Sequence, residues 1–214
     1  MVFVVDEYGA VQGLVTAHDV MEAIAGEFRA VRPEEAGADD AVVWLDLSAT
    51  VVEGRPLSGE VTVDATAGRL HGFTYIDDQQ GEDFRIWFDL TFDRPLRGHG
   101  TWADGALSGD ASADGTEVGA YVVLETGAEG TAEAILGLSW VDAEGARQNR
   151  EEEEALSASF DETHAAAKDA WQEVLGLVEL EGGTGLEQRI FWSALYRAFL
   201  HPTLFTDADG RYRG

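Results

Sequence analysis

Cysteine is absent from these 214 residues, and basic side chains are scarce: 14 Lys and Arg stand against 41 Asp and Glu, a formal net charge of −27. The first absence excludes disulfides and thiolate chemistry while leaving the compartment open. The second repels phosphate backbones and anionic lipid, so neither a nucleic-acid nor a membrane partner is expected, and the acidity reads as solubility, suited to a salty cytoplasm or medium. No apolar run approaches the length of a membrane-spanning helix. The opening "MVFVVDEYGAVQGL" has no basic n-region, long apolar h-region or small-residue cleavage site, and no signal peptide is expected from it. P-loop, dinucleotide fingerprint and Ser-His-Asp arrangement are likewise missing. What is present is 45% apolar residues, 10% aromatics and six tryptophans, the composition of a globular chain of one large or two small domains.

Three textures follow one another. "VFVV" and "AVQGLV" read as short strands around a "DEYG" turn, and Val20, Met21, Ile24 and Phe28 recur at helical spacing behind Thr16. Such a ββα piece cannot cover both faces of its own sheet and needs a partner. "RPEEAGADD", Arg32 to Asp40, is a polar linker. From Val42 to about Val141 the pattern is β. In "FRIWFDLTF" the residues Phe84, Ile86, Phe88, Leu90 and Phe92 alternate with Arg85, Trp87, Asp89 and Thr91. "VVWLDLS", "EVTVDAT", "RLHGFTYI", "GAYVVLET" and "AEAILGLSWV" are further strands, with "DRPLRG", "WADG" and "SADG" as turns, a spacing that predicts a β-sandwich. From Asp142 the chain turns helical in "DAEGARQNREEEEAL" and "SFDETHAAAKDAWQEVLG", where Phe160, Ala167, Trp171, Val174 and Leu175 share a face. "LVELEGG" is expected to return briefly to strand. Thr184 and Glu187 form a capping box before "LEQRIFWSALYRAFL", which Pro202 ends, and that helix has an apolar face wide enough for several neighbours. The glutamate run Glu151–Glu154 reads as a solvated helix face.

Candidate functional residues lie at both ends. In "GLVTAHD", Thr16 and Asp19 place a hydroxyl and a carboxylate at a helix start, which suits a ribose or phosphate, or serves only to cap the helix. The stretch "VVDEYGAVQGLVTAHDVMEAIAGEF" resembles the closing segment of a CBS domain of CorC/HlyC-like and TerC-like proteins, and the resemblance implies nucleotide contacts at Thr16 and Asp19. In "TDADGRYRG", Asp207 and Asp209 flank a turn that Arg211 and Arg213 can orient; an Asp-Gly turn with an exposed salt bridge is the alternative. "DADG" lacks the remaining ligand positions of an EF-type calcium loop. His71, His99, His164 and His201 are too dispersed for a metal site, and Trp102 can either stack on a sugar ring or pack internally.

"FDRPLRGHGTWADGAL", "GAYVVLET", "ILGLSWVDAEGARQNREEE", "FDETHAAAKDAWQEVLGLVELEGG" and "RIFWSALYRAFLHPTLFTDADGRYRG" occur in that order, and together they resemble the N-terminal β-sandwich and helical linker of glycoside hydrolase family 92, the calcium-dependent, inverting α-mannosidases. The resemblance implies a mainly β fold with α: an N-terminal ββα CBS-like fragment (1–30), a linker (31–41), a β-sandwich (42–141), a helical linker (142–183) and the first helix of an incomplete (α/α)6 barrel (184–214). It also implies calcium as cofactor of the intact enzyme, an α-mannoside or N-glycan-type substrate, frequent export, and mannose contacts at Asp207, Asp209 and Arg211. The acid, the base and most calcium ligands of the family belong to a barrel expected beyond Gly214, so no catalytic residue and no metal ligand is assigned here.

The expected function is the N-terminal part of an α-mannosidase, inactive by itself. The alternatives are a carbohydrate-binding or interaction sandwich, a CBS-type nucleotide-sensing remnant, or a join of two unrelated segments. Because the last helix has so wide an apolar face, the isolated chain is expected to self-associate; sedimentation velocity showing a sharp monomer would contradict this.

Overall fold

The computed structural model describes residues 2–5, 11–15, 40–49, 55–77, 83–127, 130–156, 159–200 and 206–213. They fall into two compact units, Met1–Val20 with Ser157–Phe205 and Met21–Leu156 with Thr206–Gly214.

The larger unit is a sandwich of two antiparallel sheets. A four-stranded sheet has the order β3-β10-β7-β8, built from β3 (Asp40–Asp46), β10 (Val118–Glu125), β7 (Leu96–Ala103) and β8 (Ala106–Ser108). A five-stranded sheet has the order β11-β6-β5-β4-β9, from β11 (Ala134–Ser139), β6 (Phe84–Phe92), β5 (Arg69–Asp77), β4 (Arg55–Asp64) and β9 (Ser112–Gly115). Alternation decides which side chains face inward. Leu45 and Leu47, Val61 and Val63, Leu70, Phe88 and Leu90 meet Val118, Ala120, Val122 and Leu124 in one core. Burying each of the larger ones contributes about 1.5–3 kcal/mol relative to exposure.

Two segments read as turns are strands. "DRPLRG" turns only at its start, and β7 begins at Leu96. Its glycines obscure the strand in the sequence, yet Gly100 is needed there, since a Cβ would stand 2.5 Å from the Tyr121 ring. "SADG" is β9, an edge strand paired with β4 from Gly59↔Gly115 to Thr62↔Ser112, held by backbone bonds that ask little of side chains. "WADG" is a turn as expected: Asp104 and Gly105 both take positive φ, 50° and 78°, between β7 and β8.

Helix α1 (Ala143–Leu156) lies on the outer face of the five-stranded sheet. Gly137 lets it approach, because a Cβ there would sit 2.1 Å from the Ala146 carbonyl oxygen. Beneath the helix the outward-facing Asp89 of β6 is fully buried, its Oδ1 accepting from Arg150 Nε at 2.6 Å while Arg69 Nη2 lies 2.7 Å from Oδ2. Arg150 also pairs with Glu154 at 2.7 Å, and Thr91 donates to Glu154 at 3.1 Å. Desolvation pulls the Arg150 pKa down, but its bonds to Asp89 and Glu154 outweigh this and raise it. The glutamate run is therefore only partly a solvated face: Glu151 pairs with Arg147, and Glu154 closes the buried cluster.

The smaller unit holds the antiparallel hairpin of β1 (Val2–Val5) and β2 (Val11–Val15) and the helices α2 (Phe160–Leu175) and α3 (Gly185–Phe199). Ser159 caps α2, and the Thr184–Glu187 capping box starts α3. The helices touch where Trp171 meets Tyr196, ring centroids 4.4 Å apart. Residues 177–183 are not a strand: Gly182 and Gly183 both take left-handed φ, which breaks extended backbone just before the cap. Leu186, Ile190, Phe191 and Phe199 leave much of α3's apolar surface exposed.

Removing Arg150 would leave the Oδ1 of the buried Asp89 carboxylate uncompensated, with Arg69 on Oδ2 as its remaining cation among the described residues. Arg150→Ala is expected to cost about 3–5 kcal/mol in urea unfolding, and Asp89→Leu added to Arg150→Met should recover most of it.

Candidate carbohydrate-contact loop

Where β11 gives way to α1, the chain builds a seat for residues 206–213. Asp142 caps α1, its Oδ1 accepting from the Gly145 amide at 2.7 Å. Ser139 Oγ accepts from the amides of Val141 and Asp142 and donates to Asp207 Oδ2 at 2.7 Å. Asn149 donates to the Leu138 carbonyl at 2.7 Å and to Asp207 Oδ1 at 2.9 Å, and its own Oδ1 accepts from the Ala208 amide at 2.7 Å. The loop then closes on itself: the Asp207 amide donates to Arg211 O, and the Gly210 amide to Asp207 O, both at 2.8 Å.

The three residues expected to touch mannose therefore stand in different situations. Asp207 is 7% exposed, with one hydrogen bond on each carboxylate oxygen. Asp209 and Arg211 are presented to solvent. Arg211 donates Nε to Asp209 Oδ2 at 2.5 Å, its amide donates to Asp209 Oδ1 at 2.9 Å, and Nη1 and Nη2 clasp the carboxylate of Asp142. The Arg213 guanidinium sits 5.3 Å over the Phe84 ring. The hydrogen bond to Arg211 holds the Asp142 carboxyl below its usual range, and the bonds from the Arg211 amide and side chain do the same for Asp209. Arg211 itself is raised by both carboxylates. Two ionised carboxylates around one guanidinium form an array that accepts from and donates to vicinal hydroxyls. Neither carboxyl is poised to hold a proton at neutral pH, so the array is suited to binding rather than to general-acid catalysis.

Ser139, Asp142, Gly145 and Asn149 escaped the sequence reading. The available signal was Asn149, a poor helix interior residue inside "RQNREEEE", where a tertiary bond is the usual reason for its presence. Thr16, Asp19 and His201 lie outside the described residues. His71, His99 and His164 sit on β5, β7 and α2, the last stacked on Phe160. Burial and the neighbouring Arg69 lower the pKa of His71. Among the described residues no three His, Asp or Glu side chains are placed to hold a metal ion, so the calcium that the resemblance implies finds no ligand set here. Nor, among them, is any helix long and apolar enough to cross a membrane.

Comparison with known proteins matches residues 27–139 to the glycosyl hydrolase family 92 N-terminal domain and residues 145–214 to the glycosyl hydrolase family 92 catalytic domain. The chain belongs to glycosyl hydrolase family 92. A family GH92 inverting mannosidase of Bacteroides thetaiotaomicron superposes with a TM-score of 0.71 at 24% identity, covering 85% of this chain and 24% of that one. A GH92 α-mannosidase of the same organism, solved in complex with mannoimidazole, gives 0.70 at 23% identity over 84% of this chain and 24% of its own. These likenesses show the fold. An uncharacterised secreted glycosidase of Arthroderma benhamiae is 33% identical over 95 residues, 42% of this chain and 12% of that protein. The family member described here thus spans about a quarter of the solved chains and less of the secreted relative.

Two outcomes test the seat. A Cβ at Gly145 would lie 2.1 Å from Asp207 Oδ2 and 2.6 Å from Ser139 Oγ. Gly145→Ala is therefore expected to release the loop, raising hydrogen exchange at Ala208 and Gly210 about tenfold while strand protection stays unchanged. Because the Asp142 and Asp209 pKa values are depressed, their contribution is complete above about pH 4 and is lost as pH falls through the lowered values. Carboxyl NMR titration should place both midpoints below the usual aspartate range.

Proposed function

We infer that this chain supplies the sandwich and first helices of an exo-acting α-mannosidase, and that Asp209 and Arg211 meet hydroxyls of the terminal mannose while Asp207 holds them in place. The observation that carries this reading is the Asp142–Arg211–Asp209 array, exposed on a loop whose root is a buried, twice hydrogen-bonded aspartate. Preorganised charges of this kind favour a polyhydroxylated ligand because the loop pays no ordering entropy on binding. We propose domain limits of 42–141 for the sandwich, 142–183 for the helical linker and 184–214 for the opening of the catalytic region. Inverting hydrolysis needs an acid and a base on opposite sides of the sugar with room for water. The carboxylates of this loop share one guanidinium instead, so the pair and the calcium would be carried by the rest of such an enzyme. The substrate class is a terminal α-mannoside, as on an N-glycan, and an exported location is consistent with the name of the secreted relative.

The test uses the complete reading frame that contains these residues. An aryl α-mannoside should be hydrolysed with inversion, seen by NMR of the first-formed mannose. Arg211→Ala should lower kcat/KM about 100-fold with the fold intact by circular dichroism. Absence of hydrolysis, or an Arg211→Ala enzyme of normal kcat/KM, would overturn the reading.

A further inference from the structure

The outer face of the four-stranded sheet lies on the opposite side of the sandwich from α1 and the 206–213 loop. Three half-buried aromatic residues gather on it, one from each of β3, β7 and β10. Trp44 is 5.3 Å from Trp102 and 5.1 Å from Tyr121 between ring centroids, with tilts of 47° and 34°. The register accounts for the grouping: Tyr121 pairs with Trp44 on one side and Gly100 on the other, and Gly119 pairs with Trp102.

The two glycines define how the rings lie. A Cβ on Gly119 would be 2.1 Å from Cζ2 of Trp102, and one on Gly100 would be 2.5 Å from Cε1 of Tyr121. Each ring therefore reaches over the neighbouring strand at a position that has no side chain of its own. Strand interiors lose stability by carrying glycine. Two glycines under two rings maintain a low aromatic surface at that cost. Leu107, 67% exposed, extends the patch along the Trp102–Gly119 row, and Asp46 borders it from β3. Among the described residues the buried Trp44 indole nitrogen has no hydrogen-bond partner.

We propose that Trp44, Trp102 and Tyr121 form a second carbohydrate site, a platform that stacks one or two pyranose rings of a neutral glycan chain, separate from the Asp209–Arg211 array. Aromatic faces attract the polarised C–H groups on the apolar side of a sugar, while rim carboxylates such as Asp46 accept from its hydroxyls. The centroid spacing is about the width of one pyranose, and tilts of 47° and 34° set the three faces at marked angles to one another. Among glycans, charge narrows the occupant: a chain of net charge −27 repels uronate- or sulfate-bearing polymers and leaves neutral ones. The choice of a glycan rests on the reading that this family member acts on mannosides, but its location does not.

The probes are α-1,2-mannobiose and yeast mannan, titrated into the 15N-labelled 214-residue chain while indole Nε1–H signals are followed. Saturable shifts at Trp44 and Trp102, retained in Arg211→Ala and weakened at least tenfold in Trp102→Leu, are the expected result. Leu107→Ala, on the same face but not aromatic, should change affinity less than threefold. Shifts abolished by Arg211→Ala alone would overturn the platform and leave the proposed function standing. No shift at Trp44 or Trp102 at saturating mannan would overturn the platform whatever the other site does. Indole shifts that track protein concentration without sugar would overturn it in favour of a second copy of the chain. If Trp102→Leu fails to fold, Trp44→Phe with the wild-type indole shifts decides the same question.

Discussion

A carboxylate that cannot be left alone governs how the larger unit is arranged. Asp89 points outward from the five-stranded sheet, on the side where water would normally keep it ionised, and α1 buries it completely. Burial of that charge is tolerable only because Arg150 and Arg69 reach it. Sliding α1 by one turn would remove the partner, and Gly137 prevents the helix from resting at any greater height without opening a gap. Helix position is thus fixed in two directions by one ion pair and one missing side chain. Asp142, Gly145 and Asn149 stand on the same helix, so the loop they seat inherits its placement from a contact that never touches it.

The scarce cations are spent on such places. Arg69 and Arg150 serve Asp89, Arg97 serves the buried Asp40, and Arg211 serves Asp142 and Asp209. Arg85 lies over the rings of Phe73, Tyr75 and Trp87, within 5.8 Å of each. With 41 acidic residues against 14 basic ones, carboxylates dominate the charge of the chain.

Much of this fold was legible because its signals are local. Alternation in "FRIWFDLTF" marks β6 residue by residue, and the Thr184–Glu187 box marks the start of α3 within four residues. Strands β7 and β9 were not legible, because Gly98, Gly100 and Gly115 carry no β signal of their own, and the need for Gly100 comes from the Tyr121 ring across from it. The "LVELEGG" segment has strand-like composition but ends in two glycines whose backbone only the fold reveals. The loop holding Asp207, Asp209 and Arg211 could be recognised as a turn. The burial of Asp207 could not, since its partners Ser139 and Asn149 are 68 and 58 residues away. Local pattern announces elements, whereas anchoring depends on pairs that no window contains.

The strand order has a consequence for how the chain is made. Strands β4, β5 and β6 neighbour one another in both sequence and space and can pair as soon as each emerges. Strand β3 has no such neighbour: Leu45 finds Ala120 across the sheet, and among the described residues β3 pairs as a strand with β10 alone. During synthesis β3 waits, apolar and unpaired, while more than half of the larger unit is still to be translated. At ribosomal rates of roughly 5–20 residues per second, that wait lasts several seconds. Asp40 and Asp46 place a carboxylate at each end of this earliest described strand of the sandwich.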